Sequence, residues 1–121
     1  MRKDNEPDAG SFLPLPQAMF HILVALADRD QHGYAIMQDV AARTNGKLKL
    51  SPGTLYGSIK KMLEDGLIQE IEPRLGAVSE DERRRTYRLT RFGRQVAAAE
   101  AERLSAMLSQ ARASGLVPKR T

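Results

Sequence analysis

Residues 51–68 read SPGTLYGSIKKMLEDGLI, and the fold turns on this stretch. Ser51 suits a helix N-cap, and Pro52 fits the first helical position, where a missing N–H costs nothing. The spacing predicts a helix over 52–65, stopped by Gly66. At about 100° per residue, Leu55, Ile59, Met62 and Leu63 fall together as a core face. Gly53, Thr54, Gly57, Lys60 and Lys61 fall roughly opposite, with Tyr56 and Ser58 on the flanks. That outward face is small near its start and basic further along. Small residues let a backbone approach a groove floor, and lysines and hydroxyls reach phosphates and base edges. The partial positive charge of the helix N-terminus also favours a phosphate.

Upstream, Leu15, Met19, Ile22, Leu23 and Leu26 recur at helical spacing, giving a helix over 15–28 that is apolar on nearly all sides between Met19 and Ala27. Such a helix has two faces to bury, one in its own core and one against a second subunit. Arg29–Gly33 breaks the pattern. A helix over 33–44 follows, with Ile36, Met37, Val40 and Ala41 inward and Asn45-Gly46 suited to a left-handed cap. Lys47–Leu50 alternates in the manner of a short strand.

Downstream, residues 67–71 and 86–89 read as two strands of a hairpin with a long polar tip over 73–83. Residues 74–94 carry seven arginines and three carboxylates, an excess of four that equals the net charge of the whole chain. Arg83, Arg84 and Arg85 stand where the tip enters its return strand, and forked guanidinium donors suit phosphates and narrow minor grooves. Thr90 caps a final helix over 91–113. There Ala97, Ala101, Leu104, Leu108 and Ala111 alternate spacings of four and three, the seam of a partner helix.

The order helix, helix, helix, hairpin, helix is the layout of a helix-turn-helix with a wing. The fold class expected is mainly α with a small β-hairpin, a winged helix-turn-helix plus a C-terminal dimerisation helix. A tail is expected over 1–13, the winged-helix domain over 14–90, the dimerisation helix over 91–114 and a second tail over 115–121.

Composition narrows the function. The chain has 121 residues, a net charge of +4 and no cysteine, which removes disulfides, thiolate nucleophiles and cysteine-ligated zinc. No segment approaches the roughly 20 apolar residues of a membrane span, and the polar first ten residues show no signal peptide, so a cytoplasmic protein is expected. His21 and His32 lack spaced partners, and no glycine-rich phosphate loop precedes a helix. No catalytic, metal-ligating or cofactor-binding set is expected, and an enzyme is disfavoured. A winged helix that binds proteins instead of DNA stays open as the alternative, although it would need no arginine-rich wing.

Four segments occur in order: His32–Ile36 (HGYAI), Leu50–Tyr56 (LSPGTLY), Leu63–Ile68 (LEDGLI) and Arg84–Thr90 (RRTYRLT), the last followed by Gly93. Together they resemble the PadR family of bacterial transcriptional regulators over about residues 13–95. The resemblance implies a winged-helix DNA-binding domain and a dimerising C-terminal helix. It implies that Tyr34 and Tyr56 lie at the DNA side, that Ser51 and Thr54 begin the recognition helix, and that Arg84 and Arg85 form the basic wing. Such proteins usually repress genes, and some are relieved by small aromatic or cationic molecules. The single C-terminal helix resembles the short subfamily. The chain has no tryptophan, which drug-binding short members can use as a stacking plate.

The expected partners are therefore double-stranded DNA, bound at an inverted repeat, and a second copy of the chain. DNA contacts are expected from Tyr34, Ser51, Thr54, Tyr56, Gly57, Ser58, Lys60, Lys61, Arg83, Arg84 and Arg85. Dimer contacts are expected from Met19, Leu23, Ala97, Ala101, Leu104, Leu108 and Ala111. A small-molecule effector, if one binds, would be expected among Met19, Phe20, Leu23, Leu104 and Met107, positions that ordinary packing also explains.

Overall fold

A computed structural model describes residues 8–72 and 84–118. Its elements run α1 (Gln17–Asp28), β1 (Gln31–His32), α2 (Gly33–Arg43), α3 (Pro52–Glu64), β2 (Ile68–Ile71), β3 (Thr86–Leu89) and α4 (Arg91–Ala113). One core joins them. Ile22, Leu23, Ala25 and Leu26 of α1, Ile36 and Val40 of α2, and Leu55, Ile59 and Met62 of α3 meet Ile68, Tyr87, Leu89 and Val96.

The sheet has three strands in the order β1-β3-β2, both pairings antiparallel. The expected hairpin is thus widened by a strand that residues 29–33 did not announce. β1 is two residues long, too short to show any alternation. Gln31 is buried there, donating through Nε2 to the Ala25 carbonyl at 2.9 Å and to Asp39 at 3.0 Å.

Other expectations shift for local reasons. Lys47–Leu50 forms no strand. It alternates because Leu50 is buried and Leu48 packs on the core while both lysines face solvent. The turn before it holds Asn45 and Gly46 at φ 53 and 77, the left-handed cap expected there. Leu63 belongs to the exposed side of α3, since about 80° of helical rotation separates it from Leu55 and puts it at the rim of the core face. The first helix begins at Gln17. Leu15 precedes it, buried, with its N–H donating to Glu100. The expected tail also ends sooner, because Ala9–Phe12 forms a 3-10 turn and Phe12 meets Phe92 edge to face at 5.6 Å.

Two caps fix the later helices. Ser51 Oγ accepts from the Thr54 N–H at 3.1 Å. Thr90 Oγ1 accepts from the Gly93 N–H at 2.9 Å and donates to the Gly66 carbonyl at 2.7 Å. The Thr90 N–H also reaches the Leu67 carbonyl at 3.1 Å. The start of α4 is thereby stitched to the turn that ends α3. Gly93 is what permits the stitch, since a Cβ there would stand 1.9 Å from the Leu67 carbonyl oxygen.

Glu100 holds the chain entry to α4. Its buried carboxylate accepts from the Leu15 N–H at 2.9 Å and pairs with Arg103. The Arg103 hydrogen bonds hold it below the ordinary glutamate range, the Leu15 N–H adds to this, and burial opposes both. A depressed folded value means that the stabilisation is complete above the unfolded value near 4.3 and fades as pH falls through the folded one. We expect Glu100→Gln to cost about 2 kcal/mol at pH 7. The gap in thermal midpoint between the two proteins should begin to narrow below the unfolded value and close only as pH falls through the lower folded one; a constant gap across pH would refute the charge-based anchor.

Candidate nucleic-acid interface

The outward side of α3 is open along its length. Ser51, Gly53, Thr54, Tyr56, Gly57, Lys60 and Lys61 are exposed and Ser58 is half-buried. Ser51 Oγ and Thr54 Oγ1 lie 3.1 Å apart at its start. Lys61 rests 3.3 Å from Asp65, a weak surface pair that leaves the lysine more than half exposed. Gly53 and Gly57 present bare backbone, with open space where a side chain would stand.

Tyr34 opens the exposed side of α2, and Tyr34 and Tyr56 are each about half exposed. They border a cavity of about 390 Å³ with His32, Gly33, Arg84, Arg85 and Tyr87. All three tyrosines of the chain meet there. His32 Nδ1 accepts from the Ala35 N–H at 3.2 Å and caps α2. Tyr87 is the buried wall. Burial first, and then the Glu70 carboxylate, push its phenol above the ordinary range, so it stays a neutral hydroxyl. Arg85 stands 3.6 Å from Glu70 and remains largely exposed. Residues of α3, of α2 and of the segment entering β3 thus face one hollow.

Arg83 lies outside the described residues, as does the wing tip over 73–83. Two other arginines of the basic stretch face elsewhere. Arg88 makes two-pronged hydrogen bonds to Asp30 at 2.7 and 3.1 Å, and Arg94 reaches the Ala27 carbonyl at 3.4 Å. β3 buries Tyr87 and Leu89, so Arg88 turns to the opposite side. Counting charge along the sequence therefore overstates what the hollow receives.

Sequence reasoning passes over Gly33, Tyr87, Gln38 and Lys49. A smaller cavity of about 220 Å³ lies between Tyr34, Met37, Gln38, Ala41, Lys49 and Leu50. Gln38 follows Tyr34 by one helical turn, a signal the spacing does contain. Lys49 falls in the stretch expected as a strand, and Tyr87 in a strand whose other side chains carry the visible charge.

The expected dimer contacts divide. Ala101, Leu104 and Leu108 are exposed, and Ala97 and Ala111 are partly covered. Met107 is exposed beside them. Met19 packs on the core at its edge. Leu23 is wholly buried in its own chain and has no surface to offer a partner, a correction that follows from its place at the centre of α1. Among the residues expected to line an effector site, Phe20 and Leu104 border a cavity of about 400 Å³ with Leu15, Gln17, His21, Glu100 and Arg103. Met19, Leu23 and Met107 are not part of its lining. Among the described residues no cluster of His, Asp or Glu could hold a metal ion, and no helix is long and apolar enough to cross a membrane.

A family model described as "Transcriptional regulator PadR-like family" matches residues 22–99. An uncharacterized protein X of Lysinibacillus sphaericus is 32% identical over 73 residues, 60% of this chain and 64% of that one. An uncharacterized 37.1 kDa protein in transposon TN4556 of Streptomyces fradiae is 35% identical over 100 residues, 83% of this chain and 25% of that one. The chain thus spans under two thirds of the length of either curated relative. Among solved structures, a PadR family transcription regulator from Clostridium difficile R20291 superposes with a TM-score of 0.68 at 23% identity, covering 80% of this chain and 96% of that one.

Proposed function

The chain belongs to the PadR-like family of transcriptional regulators, and we propose that it acts as a homodimer that binds an inverted repeat in duplex DNA and represses the adjoining gene. The family is one of regulators and not of enzymes. In this reading residues 14–90 are the DNA-reading unit and 91–114 the dimer arm. Ser51, Thr54, Tyr56, Gly57, Ser58, Lys60 and Lys61 enter a major groove, while Tyr34 and the wing residues Arg83, Arg84 and Arg85 hold the flanking backbone.

One observation carries this reading. Tyr56, on the open side of α3, and the arginines entering β3 border the same hollow, so one duplex can touch both. Selection from a random duplex pool tests it. Enrichment of two half-sites about ten base pairs apart is the expected result. Strong but unselective binding would make the chain a non-specific DNA binder. No binding at low salt would leave the face of α3 to a protein partner.

On the enriched site, Arg84→Ala with Arg85→Ala should weaken binding to every sequence. It should also flatten log K against log salt by about 0.9 for each phosphate that is no longer neutralised. An unchanged slope in that titration removes both arginines from the backbone contacts.

A further inference from the structure

The hollow between α2, α3 and β3 depends on a side chain that is missing. A Cβ on Gly33 would stand 2.7 Å from the Tyr56 hydroxyl and 3.0 Å from its Cε1 and Cζ. Real Cβ atoms essentially never come so close, so any larger residue at position 33 displaces the ring. The Tyr56 ring therefore lies across the first turn of α2, directly over Gly33. Nothing about folding demands this. Gly33 holds no left-handed backbone that would call for glycine, Tyr56 is half exposed, and its ring can swing into solvent. What the glycine provides here is the resting place of one ring.

That ring sits beside the groups an oxyanion needs. The Tyr34, Tyr56 and Tyr87 hydroxyls and the Arg84 and Arg85 guanidiniums all belong to elements that line the hollow. Burial keeps Tyr87 a neutral donor. Arg85 stands 3.6 Å from Glu70 and hydrogen-bonds the Tyr87 hydroxyl, yet stays largely exposed, so its guanidinium is already turned to the hollow and can be shared with a phosphate. Opposite charge, several donors and an open mouth match one phosphodiester of a DNA backbone.

We infer that this hollow is the seat of a single backbone phosphate, and that Gly33 is a positioning residue that keeps it assembled by letting the Tyr56 ring rest on α2. This rests on the DNA-binding reading above and adds where the strand is gripped and why position 33 is glycine. The phosphate, touched by groups from α2, α3 and β3 together, registers the recognition helix and the wing on one strand.

A double-mutant cycle on the selected duplex tests it, using Gly33→Ala, Tyr56→Ala and the pair. Gly33→Ala should weaken binding about tenfold in the native background and less than twofold beside Tyr56→Ala. Its thermal midpoint should not fall. Equal losses in both backgrounds would overturn the positioning role, because Gly33 would then act without the ring. The ring itself is readable without DNA, since the NMR signals of the Tyr56 ring should move in Gly33→Ala; unmoved signals overturn the proposal whatever binds. Neutral methylphosphonates placed one at a time along the duplex test the seat. One position in each half-site should weaken the native protein and leave Tyr56→Phe nearly unaffected. The absence of such a position, with native binding intact, overturns the seat and leaves the DNA-binding reading standing.

Discussion

Gly93→Ala should destabilise the fold by about 3 kcal/mol, lowering the thermal midpoint by roughly 10 °C for a chain of this size. The added methyl would stand 1.9 Å from the Leu67 carbonyl oxygen, 2.8 Å from its carbon and 2.9 Å from the Leu89 Cδ1. Two of these three are backbone atoms of the fully buried Leu67, and neither can swing aside as a side-chain end would. The turn would have to move away from α4, breaking the Thr90 hydrogen bonds to Gly66 and Leu67. This loss overrides the gain in helix propensity from replacing glycine. Gly57→Ala is the control, since no atom lies within 4 Å of its added methyl and exposed helical positions favour alanine by about 1 kcal/mol. Thermal unfolding followed by circular dichroism separates them, and a Gly93→Ala protein as stable as the native one would show the approach to be an accommodating one.

Leu104→Glu combined with Leu108→Glu should leave the chain a monomer of 13.4 kDa and weaken operator binding by about a hundredfold or more, as removal of a second attached reading head does. α4 has 23 residues, about 34 Å of helix. Its buried residues are Gly93, Val96 and Glu100, all in the first half. Beyond them Leu104, Met107 and Leu108 stand 39, 53 and 47% exposed on one side. An exposed apolar stripe of this kind suits association, and the alternating spacings of four and three along Ala97, Ala101, Leu104, Leu108 and Ala111 suit a second helix. Charges on the stripe would be desolvated in a dimer and merely solvated in a monomer, so helix content should persist while association disappears. Analytical ultracentrifugation at micromolar concentration reads the outcome. A native chain that already sediments as a monomer would remove the homodimer from the proposal.

Much of this architecture was legible because it rests on local chemistry. Ser51 and Thr90 cap the helices they precede, Asn45 and Gly46 take left-handed backbone, and Leu55, Ile59 and Met62 face the core at helical spacing. What escaped depends on groups distant in sequence. β1 exists only because β3 supplies partners for two residues more than fifty positions earlier. Leu15 is fixed by Glu100 across 85 residues, and the 3-10 turn by Phe92. In the candidate site the outward residues of α3 followed from rotation alone. Gly33 did not, because its meaning lies in the position of Tyr56 on another helix. The arginine excess was visible in sequence, but not that Asp30 takes Arg88 and the Ala27 carbonyl takes Arg94.

The stitch between Thr90 and the turn after α3 also bears on how such a protein can diverge. It makes α3 and α4 one bracket, with the open side of α3 at one end and the stripe of leucines at the other. In a homodimer the letters recognised depend on the outward residues of α3, whereas the gap between the two half-sites depends on how the arms cross. On the function proposed above these become separately mutable traits: changes around Leu104 and Leu108 would re-space an operator without rewriting it, and changes at Thr54 or Lys60 would rewrite it without re-spacing. Gly93, at the corner of the bracket, is the position that tolerates neither kind of change.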